Sequence, residues 1–565
     1  MAVTVWSACA FGLVAALAPC GPLGAQETPP EKCVFEGTAR NSATLLAVGR
    51  ASIRLLPTDG SVGYSGFSKA DGAFRFEGLL AGDYRVEAQH AGYAAQWVLA
   101  DKSGHSIATL HLTPGQVSTG NDLWFTPYGA VSGKVIGPDG EPLPFARVQL
   151  IQRKWRRGKR VYAATDGADT DDAGVFRFAS VPAGRYWIYA SRPTRGRPLG
   201  LSIFEAPGKP EMRIAGRYHP GAAQLDGGEA IEVHAGEEVT GIDFKLPLAP
   251  VFHLAGTCPG ATGNLHIGLK PRFGDQVLDW DGERAAVGQD GKFDLAGVFP
   301  GSYFLSTYQS GMRGVLAGAN LPVTVAAQDI AGIVAPPAGR FEVKGRVRVD
   351  GDSAPEKLPV VIFFEGSQAD EFSYFERRAE PQPGGAFTIA NLTPDRYHVR
   401  IVNMAGKETG YYLKSLRVDG VDVAGHEVDL TGGAADNPEL ILSAAGGSVE
   451  GTVVPPEDRP ENRAAPEPGE SVVVIVPEKL ASGDTQPVNA YLAPEGHFQV
   501  TDLEPGSYRV FAVTYYDPGL WQSPEFLRQI ADRGVAVEVA EKAGVRVEVH
   551  ALRAAEVRQV EERIP

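Results

Sequence analysis

The chain has 565 residues, too many for one hydrophobic core, and 43% of them are hydrophobic, an ordinary share for a globular protein. A formal charge of −15 argues against general nucleic-acid binding, which needs a basic footprint. The 68 glycines and 42 prolines lie in no low-complexity tract and read as turns between many short strands.

Residues 1–26 carry no charged side chain. The apolar run Ala8 to Ala18, followed by the small-residue stretch Gly24-Ala25-Gln26, predicts a signal peptide, although a basic leading segment is missing. The expected location is therefore secreted, periplasmic or on the cell envelope. Leu17-Ala18-Pro19-Cys20 faintly resembles a lipoprotein box, against which Pro19 counts. No later stretch approaches 18 uninterrupted apolar residues, so no transmembrane span is expected. Cys33 and Cys258 open two different repeats and are expected as buried free thiols.

One phrase then recurs: "DGAFRFEGLLAGDY", "DAGVFRFASVPAGRY", "QDGKFDLAGVFPGSY", "GGAFTIANLTPDRY" and "EGHFQVTDLEPGSY". Each copy keeps an aromatic ten residues before a tyrosine: Phe74 and Tyr84, Phe176 and Tyr186, Phe293 and Tyr303, Phe387 and Tyr397, Phe498 and Tyr508. Successive tyrosines are 102, 117, 94 and 111 residues apart, a period that suits one small β domain per copy. Within a copy, a turn precedes an alternating strand (Phe74, Arg75, Phe76), a glycine reverses the chain, and a second alternating strand begins at the tyrosine. Such a tyrosine folds back to bond upstream backbone, pinning a crossover between two sheets, so Tyr84, Tyr186, Tyr303, Tyr397 and Tyr508 are assigned structural roles.

A strand with a central glycine opens each copy, at Gly37, Gly133, Gly256, Gly345 and Gly451. Closing strands follow as "GNDLWF", "GIDFKL", "PELILSA" and "VRVEVHAL". The expected fold is all-β, a tandem array of about five Greek-key β-sandwiches with about seven strands each. The expected boundaries are 27–126, 127–248, 249–337, 338–445 and 446–553, with a charged tail at 554–565. The best helix signal lies at 523–533 in the last domain: Ser523 caps, Pro524 suits the first turn and Gly534 ends it.

These motifs, with "DGEPLPFARVQL" ahead of the second copy, resemble the carboxypeptidase regulatory-like domain, a group similar to transthyretin-like and collagen-adhesin B-type sandwiches with a carbohydrate-binding-like fold. The resemblance covers most of 33–552 and implies the fold. It implies no peptidase activity, because the module lacks the enzyme's zinc-binding domain. Some collagen-adhesin relatives cross-link a lysine to an asparagine. Lys134 and Lys344 lie near the relevant positions, but the closing strands offer no regular asparagine partner.

No nucleophile elbow, His-Glu-x-x-His, phosphate loop or dinucleotide fingerprint occurs, so no catalytic residue and no cofactor are assigned. A weak calcium candidate is "DGADTDDAG", with Asp166, Asp169 and Asp171, although an Asp-rich turn explains it more simply. "RKWRRGKR" (Arg153, Lys154, Trp155, Arg156, Arg157, Gly158, Lys159, Arg160) reads as a projecting hairpin tip, either plainly solvated or facing an anionic partner. Alternation turns Trp187 and Tyr189 outward from the second domain, as a platform for a sugar ring or for a neighbouring domain. The expectation is an exported, non-enzymatic binding or display protein whose partner is polysaccharide or a cell-surface protein. The alternatives are a purely structural spacer or interaction scaffold, and a secreted hydrolase with an unrecognised acidic pair.

Overall fold

The computed structural model describes residues 31–94, 99–100, 106–107, 109–192, 211–259, 265–278, 280, 282–311, 314–317, 320–336, 341–351, 358–366, 377–404, 410–431, 437–454, 471–479, 489–492 and 496–564. The expected signal peptide lies outside them.

Each repeated phrase builds the same local structure. The turn glycine two residues before the motif aromatic is left-handed in all five copies: Gly72, Gly174, Gly291, Gly385 and Gly496 have φ of 78°, 70°, 74°, 82° and 78°. Only glycine adopts that conformation without strain, which accounts for the recurring Gly-x-Phe. The preceding aspartate locks the turn where it is present. Asp71 accepts from the Ala73 amide at 3.0 Å and Asp290 from that of Lys292 at 3.1 Å.

The aromatic then lies opposite the opening-strand glycine. The cross-strand pairs are Gly37 with Phe74, Gly133 with Phe176, Gly256 with Phe293, Gly345 with Phe387 and Gly451 with Phe498. That glycine also sits against the closing strand. A Cβ at Gly37, Gly133, Gly256 or Gly451 would stand 1.7, 1.9, 2.0 or 2.0 Å from the carbonyl oxygen of Asn121, Ile242, Ile333 or Val547. The close approach goes with the chain direction, since opening and closing strands run parallel in every copy, whereas the opening strand and the motif strand are antiparallel.

Two layers result per copy. In the first, one sheet carries strands Ala73–Leu79, Cys33–Asn41 and Val117–Phe125, and the other carries Tyr64–Phe67, Ser52–Pro57, Gly82–Gln89 and Thr109–Leu112. Five hydrophobic cores follow one another along the chain, centred on Phe35, Phe176, Phe293, Phe364 and Phe498. In the last copy the Gly544–Leu552 strand pairs with both Gly447–Val454 and Gly506–Val513, joining the layers at one end.

All five tyrosines make the corner. The hydroxyls of Tyr84, Tyr186, Tyr303, Tyr397 and Tyr508 donate to the carbonyls of Leu80, Pro182, Phe299, Thr393 and Glu504 at 2.8, 2.8, 2.8, 2.9 and 2.6 Å. Burial pushes the Tyr84 and Tyr186 phenols up to about 12. Tyr186→Phe is expected to cost roughly 1–3 kcal/mol, because the part-buried bond to the Pro182 carbonyl is lost while the ring stays buried. A urea titration of the variant checks this, and an unchanged midpoint would contradict it.

Cys33 and Cys258 are buried and unbridged, with the Cys33 thiol donating to the Thr113 carbonyl at 3.0 Å. In the fifth copy the expected helix forms. Ser523 caps Pro524–Ile530, which continues through a 3-10 turn at Ala531–Arg533, and the expected charged tail forms a second helix, Ala554–Glu562. The tail is ordered because Val557 and Ile564 are buried on the sheet beside Trp521 and Phe526.

Candidate functional site

The inward faces of the five copies are alike, and the copies differ on the outward face of the sheet that carries the corner tyrosine. In the first unit that face is charged and self-paired, Arg54 to Glu87 at 3.3 Å. In the fifth it is apolar, with Val474, Val476, Phe511 and Val513 roofed by the helices and Trp521. In the fourth, the Arg400 guanidinium lies 4.5 Å over the Phe363 ring and pairs with Glu365.

In the second unit the face carries Ile151, Trp187 and Tyr189, and it is not open. Leu278 from the third unit is buried in the same cluster, with Phe273 and Trp280 packed against it and Tyr218 and Leu225 closing the side. Tyr162 meets the Trp187 ring edge-on at 5.1 Å and the Phe273 ring at 5.6 Å. The Trp280 indole N–H donates to the Tyr218 hydroxyl at 3.2 Å. Trp187 and Tyr189 are left 9% and 7% exposed, which corrects the expectation of a sugar platform. Alternation turns them out of their own core, and the third unit covers them.

The basic hairpin is also placed differently from a free tip. Strands Arg147–Arg156 and Lys159–Asp169 project beyond the second unit, and their turn docks on the fifth. The Gly158 amide donates to the Gly519 carbonyl at 2.9 Å. The Trp155 indole donates to the Glu561 carboxylate at 2.8 Å, and Arg160 donates to the Glu561 carbonyl at 2.7 Å while lying 5.0 Å over the Trp155 ring. Arg157 reaches the fourth unit and donates to the Gly366 carbonyl. Desolvation around that guanidinium lowers its pKa, and the Glu365 carboxylate opposes the shift. Gln276 of the third unit exchanges hydrogen bonds with the Tyr162 backbone on the same hairpin. One hairpin therefore touches three other units. Trp155, Arg157 and Arg160 are engaged, while Arg153, Lys154, Arg156 and Lys159 face solvent.

The aspartates of the calcium candidate are committed elsewhere. Asp171 accepts from the Ala173 and Val175 amides at 3.0 and 2.8 Å, Asp166 accepts from the Gly167 amide at 2.7 Å, and Asp169 lies 3.5 Å from Arg147. Among the described residues no group of three or more His, Cys, Asp or Glu is arranged to hold a metal ion. Lys134 and Lys344 are exposed, and the Lys344 ammonium pairs with Glu342 at 2.9 Å. Residues that the sequence reading passed over, Gln276, Leu278 and Trp280 in the third unit and Gly519 and Glu561 in the fifth, complete the junction. No local pattern marks them.

Residues 35–121 and 130–198 match the carboxypeptidase regulatory-like domain. No curated protein matches the sequence. Among solved structures, the Bacillus anthracis TIE protein is 15% identical, with 54% of this chain and 50% of that one covered and a TM-score of 0.17. This chain thus spans half the length of that protein. GBS52, the minor pilin of Streptococcus agalactiae, is 12% identical over 39% of this chain and 97% of that one, with a TM-score of 0.20. BcpA, the major pilin subunit of Bacillus cereus, is 12% identical over 55% and 100%, with a TM-score of 0.15. Likeness at these scores bears on no functional question.

Proposed function

We propose, for a chain whose first two units are carboxypeptidase regulatory-like domains, that it is an exported, non-enzymatic scaffold of the cell envelope whose five sandwiches, bounded near 126, 248, 337 and 445, act as one clamped body. The observation that carries this reading is the second unit's hairpin, which bonds to the third, fourth and fifth units at once. The apolar run Ala8 to Ala18 and the small-residue stretch Gly24-Ala25-Gln26 support export. A sugar-binding platform at Trp187 and Tyr189 is disfavoured because both rings serve the junction. A hydrolytic acid needs a carboxyl held protonated. Among the described residues, the carboxylates with displaced pKa values, Asp59, Asp290 and Asp429, are all lowered, in each case chiefly by hydrogen bonds to the carboxylate.

Gly158→Ala tests the clamp. Gly158 has φ 72°, and a Cβ there would stand 2.3 Å from the Gln522 carbonyl oxygen, so the tip must lift from the fifth unit. The second core stays intact, because Gly158 lies outside it. Tryptic cleavage at Arg153–Arg160 is expected to quicken roughly tenfold, as about 1–2 kcal/mol of docking is lost. Small-angle scattering is expected to show a larger radius of gyration. Wild-type scattering that already fits five freely jointed units would overturn the reading.

A further inference from the structure

The outward face of the third unit is unlike the other four. Among the described residues it carries no ion pair and no helix roof, its guanidinium groups lie over its own rings, and the hairpin meets the unit only beside this face, at Phe273 and Gln276. On strand Leu265–Phe273 the outward residues are His266, Gly268, Lys270 and Arg272, because Leu265, Ile267 and Leu269 point into the core. On strand Gly301–Gly311 they are Phe304, Ser306 and Tyr308, flanking buried Leu305 and Thr307. The neighbouring strand Glu283–Ala286 adds Arg284, opposite Gly268.

Gly268 determines the shape. A Cβ there would stand 3.2 Å from the Tyr308 ring, so the ring lies down across the strand where any side chain would prop it up. His266 stacks beside it at 5.4 Å with 21° between planes, and the exposed Arg284 guanidinium lies 5.4 Å from the Tyr308 ring. Arg272 lies 5.4 Å from the Phe304 ring, and Lys270 is the cross-strand partner of Phe304. Two half-buried rings thus lie about 13 Å apart along one strand, each beside cations.

The charge on this face is one-sided. No aspartate or glutamate occupies an outward position of the described strands Leu265–Phe273, Gly301–Gly311 or Leu321–Val325. Glu283 is paired with Leu269 and so stands on the opposite parity. Three cations gather here in a chain of net charge −15. The Nδ1 of His266 is buried and makes no hydrogen bond, a polar atom left unmet beside the ring.

We infer that this face binds an acidic polysaccharide, with the apolar faces of sugar rings stacked on Tyr308 and Phe304 and uronate carboxylates paired with Lys270, Arg272 and Arg284. An extended polymer carrying a carboxylate on each sugar matches a flat strip of rings and cations in a row. A folded acidic protein would need a shaped apolar centre, which this strip lacks. The site is separate from the clamp, so Gly158→Ala is expected to leave it working.

Calorimetry on the full-length chain with polygalacturonate, neutral dextran and double-stranded DNA tests the assignment. Polygalacturonate is expected to bind and dextran is not. Tyr308→Ala and Phe304→Ala are each expected to weaken binding about five- to tenfold. The Arg272→Gln/Arg284→Gln variant keeps both rings and is expected to lose about tenfold and to flatten the salt dependence, which decides the matter even if a ring variant misfolds. Absence of polygalacturonate binding by the wild type would overturn the inference. So would binding indifferent to both rings, or tighter binding of DNA.

Discussion

Gly133→Ala is expected to unfold the second sandwich, at a cost of about 3 kcal/mol or more. The added methyl would stand 1.9 Å from the Ile242 carbonyl oxygen and 2.5 Å from its carbon, and both are backbone atoms that no rotamer change moves aside. The opening strand must therefore leave the closing strand, and the core of Val131, Phe176 and Phe244 opens with it. Trp187 sits in the junction this unit supports, so its fluorescence reports the event in a urea titration. Gly241→Ala is the matched control. Its φ is 78° but nothing lies within 4 Å of the added carbon, so only backbone strain of about 1 kcal/mol is expected. Equal midpoints for the two variants would refute the close-approach account of the opening glycine.

The Trp187→Ala/Tyr189→Ala double variant is expected to uncouple the second and third units while leaving both folded. Tyr186, Ile188 and Ala190 hold the second core from the other face of the same strand, so that sandwich survives. The junction loses the partners of Tyr162, Tyr218 and Leu278. Removing a large buried aromatic costs roughly 3–5 kcal/mol, and two touching the same cluster cost less than their sum, so about 5 kcal/mol is expected for the pair. Denaturation should change from a coupled to a stepwise transition, with faster proteolysis near Gln276. An unchanged transition accompanied by loss of glycan binding would restore the open-platform reading of these rings.

Much of each module could be read from the chain because the causes are local. Phe74 and Phe76 alternate with Arg75 because a strand has period two, and Gly72 recurs because its φ is left-handed. The corner tyrosine reaches a carbonyl only four residues back. The opening glycine was visible as a repeated letter, but its reason lies about 77 to 109 residues away in the closing strand, as at Gly256 with Ile333 and Gly133 with Ile242. The tail at 554–562 read as charged, yet Val557 and Ile564 had a sheet to cover.

By itself the sequence determined five copies of a sandwich, their turns and corners, and which side chains leave each core, since these follow from period and backbone conformation within a few tens of residues. Only the tertiary structure decided what those outward side chains meet. Trp187 meets the cluster around Leu278, Trp155 meets Glu561, and Tyr308 lies on Gly268 between His266 and Arg284. The physical reason is that an outward apolar ring is favourable against any dry surface, and the arrangement of the units determines which surface it finds.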